Sequence, residues 1–262
     1  MDSALEGNRE SDAGTPTVVT IELTLIIPTR NERENMPLLL PRIKESLGDL
    51  SYEVLIVDDS DDGTLEVAVS LAEASGLTLR AIHREPGSRE GLLSGAVVAG
   101  IADSRGRYIG VLDADLQHPP ELIHTMLACA QEEGADVVIA SRYLKGGSDE
   151  GLSSGMRRFV SALAKYFAKT LFFPRLAAVS DPLSGYFIVR RSTLEGVPLK
   201  PRGFKILLEI LVRSDARRVR ELPMRFAQRA EGDSKATLKQ GIDFGRHAAG
   251  LFWDARVRRL LP

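Results

Sequence analysis

Short runs of Val, Ile and Leu alternate along the chain with longer segments in which apolar residues return at helical spacing. Ile21–Ile27, Tyr52–Val57, Thr78–Ile82, Tyr108–Leu112 and Asp136–Ala140 read as strands, and Glu34–Leu47, Leu65–Ala74, Leu92–Ala102 and Pro120–Glu132 as the helices between them. Strands that are apolar almost throughout, each followed by a helix, predict an α/β fold with a parallel sheet covered on both faces. Pro119-Pro120-Glu121 suits a helix start, since proline is tolerated in the first turn and an acid there complements the dipole. Gly146–Gly155, rich in Gly and Ser, reads as a mobile loop.

Beyond this alternating region the pattern changes. Met1–Thr17 is acidic, lacks an apolar stretch and reads as part of a disordered tail over 1–19 rather than a secretory signal. Within the segment after the loop, Arg158, Lys165 and Lys169 fall on one helical stripe and Phe159, Leu163, Tyr166 and Phe167 on its neighbour. Such a helix either lies on a membrane surface or packs as an ordinary core helix with snorkelling lysines. Leu238–Leu261 is also helical in pattern, mixing Phe244, Leu251, Phe252 and Trp253 with four arginines, and could dock on a membrane or on a membrane subunit. No run approaches the ~20 apolar residues that a spanning helix needs. The expected division is a tail over 1–19, one catalytic domain over 20–235 and an amphipathic C-terminal helix over 236–262, with no transmembrane segment.

Composition narrows the options. A chain of 262 residues that is 44% hydrophobic and 27% charged can build one sizeable core. Its net charge of −2 argues against a nucleic-acid partner. Cys129, the single cysteine, excludes an internal disulfide and suits a helix core better than a reactive thiol. No G-x-G-x-x-G follows the first strand and no G-x-x-x-x-G-K-[ST] occurs, which removes dinucleotide-binding Rossmann and P-loop sites, and the four histidines lack zinc spacing.

Four predicted strand ends carry the suggestive chemistry: Pro28-Thr29-Arg30-Asn31-Glu32, Asp58-Asp59, Asp113-Ala114-Asp115 and Ser141-Arg142. In open α/β sheets ligands collect at these ends. Asp113, Asp115 and Gln117, at i, i+2 and i+4, would share one side of an extended backbone and offer two carboxylates and an amide oxygen to Mg²⁺ or Mn²⁺. The plainer alternative is a solvated acidic turn before the helix. Asp61, Asp62 and Gly63 should shape a turn after the second strand, leaving an acid there to accept from a base or ribose. His118 suits a surface hydrogen bond as well as a functional role.

Together these residues resemble the family 2 glycosyltransferases of the GT-A fold, particularly the dolichol-phosphate mannose synthases. The matching segments are Pro28–Asn35, Val57-Asp58-Asp59, Asp113–Glu121, Ser141-Arg142-Tyr143, Asp181–Gly185, Gly203-Phe204-Lys205 and Arg229-x-x-Gly232-x-Ser234-Lys235, in the expected order. The resemblance implies that Pro28, Arg30, Glu32, Val57, Asp59 and Ala114 line a nucleotide-sugar pocket, for GDP-mannose before UDP-glucose. It implies that Asp113, Asp115 and Gln117 hold the metal, that Arg229 and Lys235 reach the donor diphosphate, and that Arg142, Arg157 or Arg158, and Ser161 bind the phosphate of a polyprenyl phosphate acceptor. Asp113, Asp115, Arg142, Arg229 and Lys235 would carry catalysis, inverting the sugar in one displacement, with Asp181 positioning rather than acting as a base. Arg30 stands where those synthases commonly have Tyr, and the Val57-Asp58-Asp59 segment is one residue shorter than in many relatives. A cytoplasmic enzyme, peripheral at the cytoplasmic face of a membrane, is the expectation. A transferase using a hydroxyl acceptor and a catalytically silent nucleotide-sugar-binding module are the competing readings.

Overall fold

The computed structural model describes residues 20–151, 155–228 and 238–257, so the predicted tail lies outside the described residues. The elements run β1 (Leu23–Thr29), α1 (Met36–Leu47), β2 (Tyr52–Asp58), α2 (Thr64–Ser75), β3 (Leu79–His83), α3 (Leu92–Asp103), β4 (Tyr108–Val111), α4 (Leu122–Glu132), β5 (Val137–Ser141), α5 (Gly155–Leu171), β6 (Phe187–Arg190), α6 (Ile206–Arg213), β7 (Val219–Pro223) and α7 (Leu238–Val257). Every predicted strand and helix is present, its ends displaced by two residues at most, except that residues 258–261 of the predicted C-terminal helix lie outside the described residues. Helix α4 starts at Leu122 rather than Pro120, because Pro119 and Pro120 form a turn whose carbonyls accept from Leu122 and Ile123.

Seven strands form one mixed sheet in the order β3-β2-β1-β4-β6-β5-β7. Its pairs are parallel except that β6 runs antiparallel between β4 and β5. The side chains of β1 alternate: Leu23, Leu25 and Ile27 join a core beneath α1, α2 and α4, while Ile26 faces the core formed with α3, α6 and α7. Burial on both faces explains why the central strands carry no polar alternation.

The reversal at β6 positions the site. An antiparallel strand begins where its parallel neighbours end, so residues 180–186, leading into β6, arrive beside the carboxyl ends of β4 and β5.

Helix α7 is anchored to α6 through charge as well as apolar contact. Arg213 Nε donates to Glu209 Oε1 at 2.8 Å, and Arg213 Nη2 to Asp254 Oδ2 at 2.9 Å. Lys200 Nζ donates to the same Asp254 oxygen at 2.7 Å. Burial raises the Glu209 pKa, against the Lys200 backbone and Arg213. Removing the guanidinium would leave that carboxylate uncompensated. Arg213→Met is therefore expected to cost about 3–5 kcal/mol in a urea-unfolding experiment at neutral pH. Asp254→Asn, at a carboxylate 35% exposed, should cost under about 1 kcal/mol.

Candidate active site

The first face of the site is built where β1 and β2 end side by side. Thr29 Oγ1 donates to Asp58 Oδ1 at 2.7 Å, and His83 Nδ1 lies 2.9 Å from Asp58 Oδ2. Asp58 is thus a buried staple between three strands. Asn31, in the left-handed region at φ 57°, accepts from the Asp61 backbone through Oδ1 at 3.2 Å while its own N–H donates to Ser60 Oγ at 2.8 Å. Asp62 Oδ1 accepts from the Thr64 backbone at 3.0 Å, and Gly63 takes φ 85°, so the predicted turn forms from the expected residues.

Asp59 is more constrained than its position in the sequence implies. Arg84 grips it at two points, Nε to Oδ1 at 2.7 Å and Nη2 to Oδ2 at 2.6 Å, both residues being buried. The same guanidinium donates to the carbonyls of Glu90 and Leu92. A base or ribose could meet only the remaining lone pairs of Asp59. Glu32 is tied to α1 by Asn35, whose Nδ2 donates to Glu32 Oε2 at 2.6 Å, and Arg30 is exposed at the mouth, close enough to act on the charge of Asp61.

The second face is the acidic turn after β4. Here the same-side argument from extended backbone fails. Leu116 takes φ 62°, and the Gln117 backbone donates to Asp115 Oδ1 at 3.2 Å, so the chain folds through a turn instead of continuing the strand. Gln117 turns its amide nitrogen to the carbonyls of Gly151 at 3.2 Å and Ala227 at 3.0 Å. The loop after β5 and the segment after β7 are thereby drawn together against the turn, with further bonds from Ser148 N to Met224 O and from Gly151 N to Phe226 O. Gly146–Gly151 of the predicted mobile loop is held in this way, and Leu152–Ser154 lie outside the described residues.

His118 is buried, not a surface residue. Its ring packs between Tyr186 and Phe226, with centroids 5.4 and 5.3 Å away. Nδ1 accepts from the Asp113 backbone at 3.3 Å, which places the proton on Nε2. Burial lowers its pKa to about 4 despite Asp115, so the ring is neutral at pH 7 and shapes the turn without adding charge.

The third face lies where β5 ends and β6 is about to begin. Arg142 Nε and Nη2 donate to Asp181 at 2.8 and 2.9 Å, and the Phe226 ring lies 5.5 Å from the guanidinium carbon. Burial works against the Arg142 charge, but Asp181 outweighs it and the pKa stands above its ordinary value. Glu221 on β7 holds this loop by accepting from the backbones of Ser180 and Asp181. Tyr143 Oη is 3.1 Å from Ser161 Oγ on α5. Arg158 is exposed on the same helix, whereas the side chain of Arg157 and all of Arg229 and Lys235 lie outside the described residues.

Lys205 is a cation to which the sequence reading gave no role, although it ends one of the matching segments. Its Nζ donates to the Leu183 carbonyl at 3.2 Å. Burial and Arg142 lower its pKa, opposed by Asp113 and Asp181, so its ammonium shares the pocket with both acids. Arg84 and Glu221 were missed likewise; each acts on a partner from a distant part of the chain.

The donor set can be tested against a divalent cation. Among the described residues no group of three or more His, Cys, Asp or Glu is assembled to hold a metal. Asp113, Asp115 and the Gln117 amide oxygen are hard donors, and a set with two carboxylates fits an ion that takes its remaining ligands from phosphate and water. Space beside them is kept by Gly185, where a Cβ would stand 2.6 Å from Asp113 Oδ2.

Comparison with known proteins bears on the family and the fold. The sequence profile of the family described as Glycosyl transferase family 2 matches residues 24–197. A dolichol-phosphate mannosyltransferase of Pyrococcus furiosus is 39% identical over 243 residues, 92% of this chain and 67% of the relative. That of Saccharomyces cerevisiae is 31% identical over 86% of this chain and 85% of the relative. Among solved structures, mannosyl-3-phosphoglycerate synthase from Rubrobacter xylanophilus superposes with a TM-score of 0.66 at 20% identity, covering 92% of this chain and 76% of the other. Glucosyl-3-phosphoglycerate synthase from Mycobacterium tuberculosis, in complex with Mn²⁺, UDP and phosphoglyceric acid, gives 0.64 at 18% identity over 89% and 78%. At such identities these two establish the shared fold.

Gly185→Ala tests the acidic turn. The variant should fold normally, with the Asp113 carboxylate displaced by roughly 1 Å to restore an ordinary carbon–oxygen approach. Mn²⁺ affinity, followed by electron paramagnetic resonance, should fall by about ten- to a hundredfold; unchanged affinity would remove Asp113 from the ligand set.

Proposed function

Because the chain belongs to glycosyl transferase family 2 and is a glycosyltransferase, we propose that it moves a hexose, mannose from GDP-mannose, to the phosphate of a polyprenyl phosphate at a membrane surface. One observation carries the choice of acceptor. The Arg142 cluster adjoins α5, and that helix turns its apolar side outward: Phe159, Leu163, Tyr166 and Phe167 are 65, 59, 63 and 44% exposed. A core helix would bury these residues, so the packing favours the interfacial reading. Phe167 meets Phe244 of α7 edge-on, so the apolar side of α5 continues onto the neighbouring helix. No described helix is long and apolar enough to cross a membrane. The dolichol-phosphate mannosyltransferases at 31–39% identity support the same reading.

In this reading Pro28, Arg30, Glu32, Val57, Asp59 and Ala114 line the nucleotide pocket, and Arg229 and Lys235 bind the donor diphosphate. Asp113, Asp115 and the Gln117 oxygen hold Mg²⁺ or Mn²⁺, which when bound neutralises the diphosphate and stabilises it as a leaving group. Arg142, with Arg157 or Arg158 and Ser161, orients the acceptor phosphate. A phosphate oxygen forms the new bond to the anomeric carbon as the bond to the donor's β-phosphate oxygen breaks; GDP leaves with that electron pair and the centre inverts. The acceptor is already anionic, so alignment and charge stabilisation replace general base catalysis. A hydroxyl acceptor would need such a base. Asp181, wholly buried and bonded twice to Arg142, is badly placed to be one.

The test is transfer of radiolabel from GDP-mannose, with UDP-glucose in parallel, to polyprenyl phosphate in vesicles. Labelled lipid should form from GDP-mannose, vanish with EDTA, and drop by at least ~10²-fold in Asp115→Ala. Label arriving on a sugar alcohol but never on the lipid would establish the hydroxyl-acceptor reading. Separately, the Phe159→Ser, Leu163→Ser double variant should co-sediment with anionic vesicles at least about tenfold less, since each side chain gives up roughly 1.5–3 kcal/mol of apolar burial.

A further inference from the structure

Arg142 is the cation nearest in role to the acceptor phosphate, yet it is already matched. Its guanidinium is bonded twice to Asp181, so the pair carries no net charge. A phosphate brought against a neutral pair requires further positive charge close by. Helix α5 supplies it. Ser161 Oγ lies 3.1 Å from Tyr143 Oη, and one turn later Lys165 Nζ sits 3.5 Å from the centroid of the same Tyr143 ring. Positions i and i+4 share a helix face, so the hydroxyl and the ammonium look toward Tyr143 together.

The direction of Lys165 is informative. On a helix of this kind the apolar side chains normally turn in and the lysines reach out to water. Here Leu163 and Tyr166 are 59 and 63% exposed while Lys165 is half-buried against the protein. Burial lowers its pKa, Asp181 and Asp149 raise it, and Lys169 and Arg142 lower it, which places the ammonium within electrostatic reach of the Arg142–Asp181 pair. Among the described residues no carboxylate forms an ion pair with it. A half-buried ammonium beside a neutral ion pair and two hydroxyls is arranged to receive an anion.

We propose that Lys165 is a ligand of the acceptor phosphate, donating to its oxygens from above the Tyr143 ring alongside Arg142 and the Ser161 hydroxyl. This rests on the phosphate-acceptor reading of the site. Lys165 then adds positive charge to the subsite beyond that of Arg157 or Arg158, and Tyr143 holds it in place through its π face.

The test uses full-length enzyme and farnesyl phosphate, a short acceptor kept in solution so that membrane docking plays no part. Lys165→Gln should raise the KM for farnesyl phosphate by about ten- to a hundredfold, the loss of one charge-assisted hydrogen bond, with the KM for GDP-mannose changed less than about twofold. Lys165→Arg should recover most of the loss. An unchanged acceptor KM in Lys165→Gln, or a defect seen only with vesicle-embedded acceptor, overturns the proposal and leaves the functional reading intact. Farnesyl phosphate binding is measured in parallel by titration calorimetry. If wild type binds it without transferring mannose, the reaction assignment fails while a weaker Lys165→Gln titration still upholds the ligand role. If wild type does not bind it, both fail.

Discussion

A guanidinium and a carboxylate taken out of water at the end of β5 must have their bonding capacity met, because an unmet charge there costs several kcal/mol. Asp181 satisfies this with two bonds from the Arg142 side chain and one from its backbone. The segment bearing Asp181 is held in turn by Glu221 of β7, and Phe226 covers the guanidinium. The end of β5, the approach to β6 and the chain around β7 are therefore fixed relative to one another by this pair together with Glu221 and Phe226. Lys205, Gly185 and the acidic turn take their places from the same arrangement. Because β6 is inserted antiparallel, residues 181–185 reach the edge where β4 and β5 end.

How far the sequence revealed this depended on the range of the interaction. The strands β1, β2, β4 and β5 are buried on both faces and announce themselves as largely apolar runs. Strand β7, Val219-Arg220-Glu221-Leu222-Pro223, lies at the sheet edge with two charged residues and a proline, and it gave no such signal. Strand β6 is four residues long, too short for a period to show. Local chemistry was legible where it was local: the Ser60–Thr64 turn formed from the residues that predicted it. Where a side chain answers to a distant partner the sequence was silent, as with Arg84 reaching Asp59 from 25 residues away.

The acidic motif shows a further limit. Its i, i+2, i+4 spacing suggested one extended face, but the positive φ at Leu116 replaces the strand with a turn. The residue types still suit a divalent cation, but the extended-strand geometry does not hold. Helix α5 was ambiguous in the opposite way. Its amphipathic pattern fitted either a core or an interface, because a helical wheel gives the angle between two faces and says nothing about which one meets the protein. Only packing decided that the aromatic side turns away.

Gln117 joins parts of the chain that would otherwise move separately. Its amide binds Gly151 and Ala227 at once, and a Cβ at position 151 would lie 1.9 Å from the Ala227 carbonyl oxygen, so the two backbones are in near contact. One side chain thus acts as a clasp between the loop leading to α5 and the strand of chain leading toward Arg229. Motion in either segment is felt by the other through a few hydrogen bonds, which couples the chain that follows β5 to the chain that follows β7.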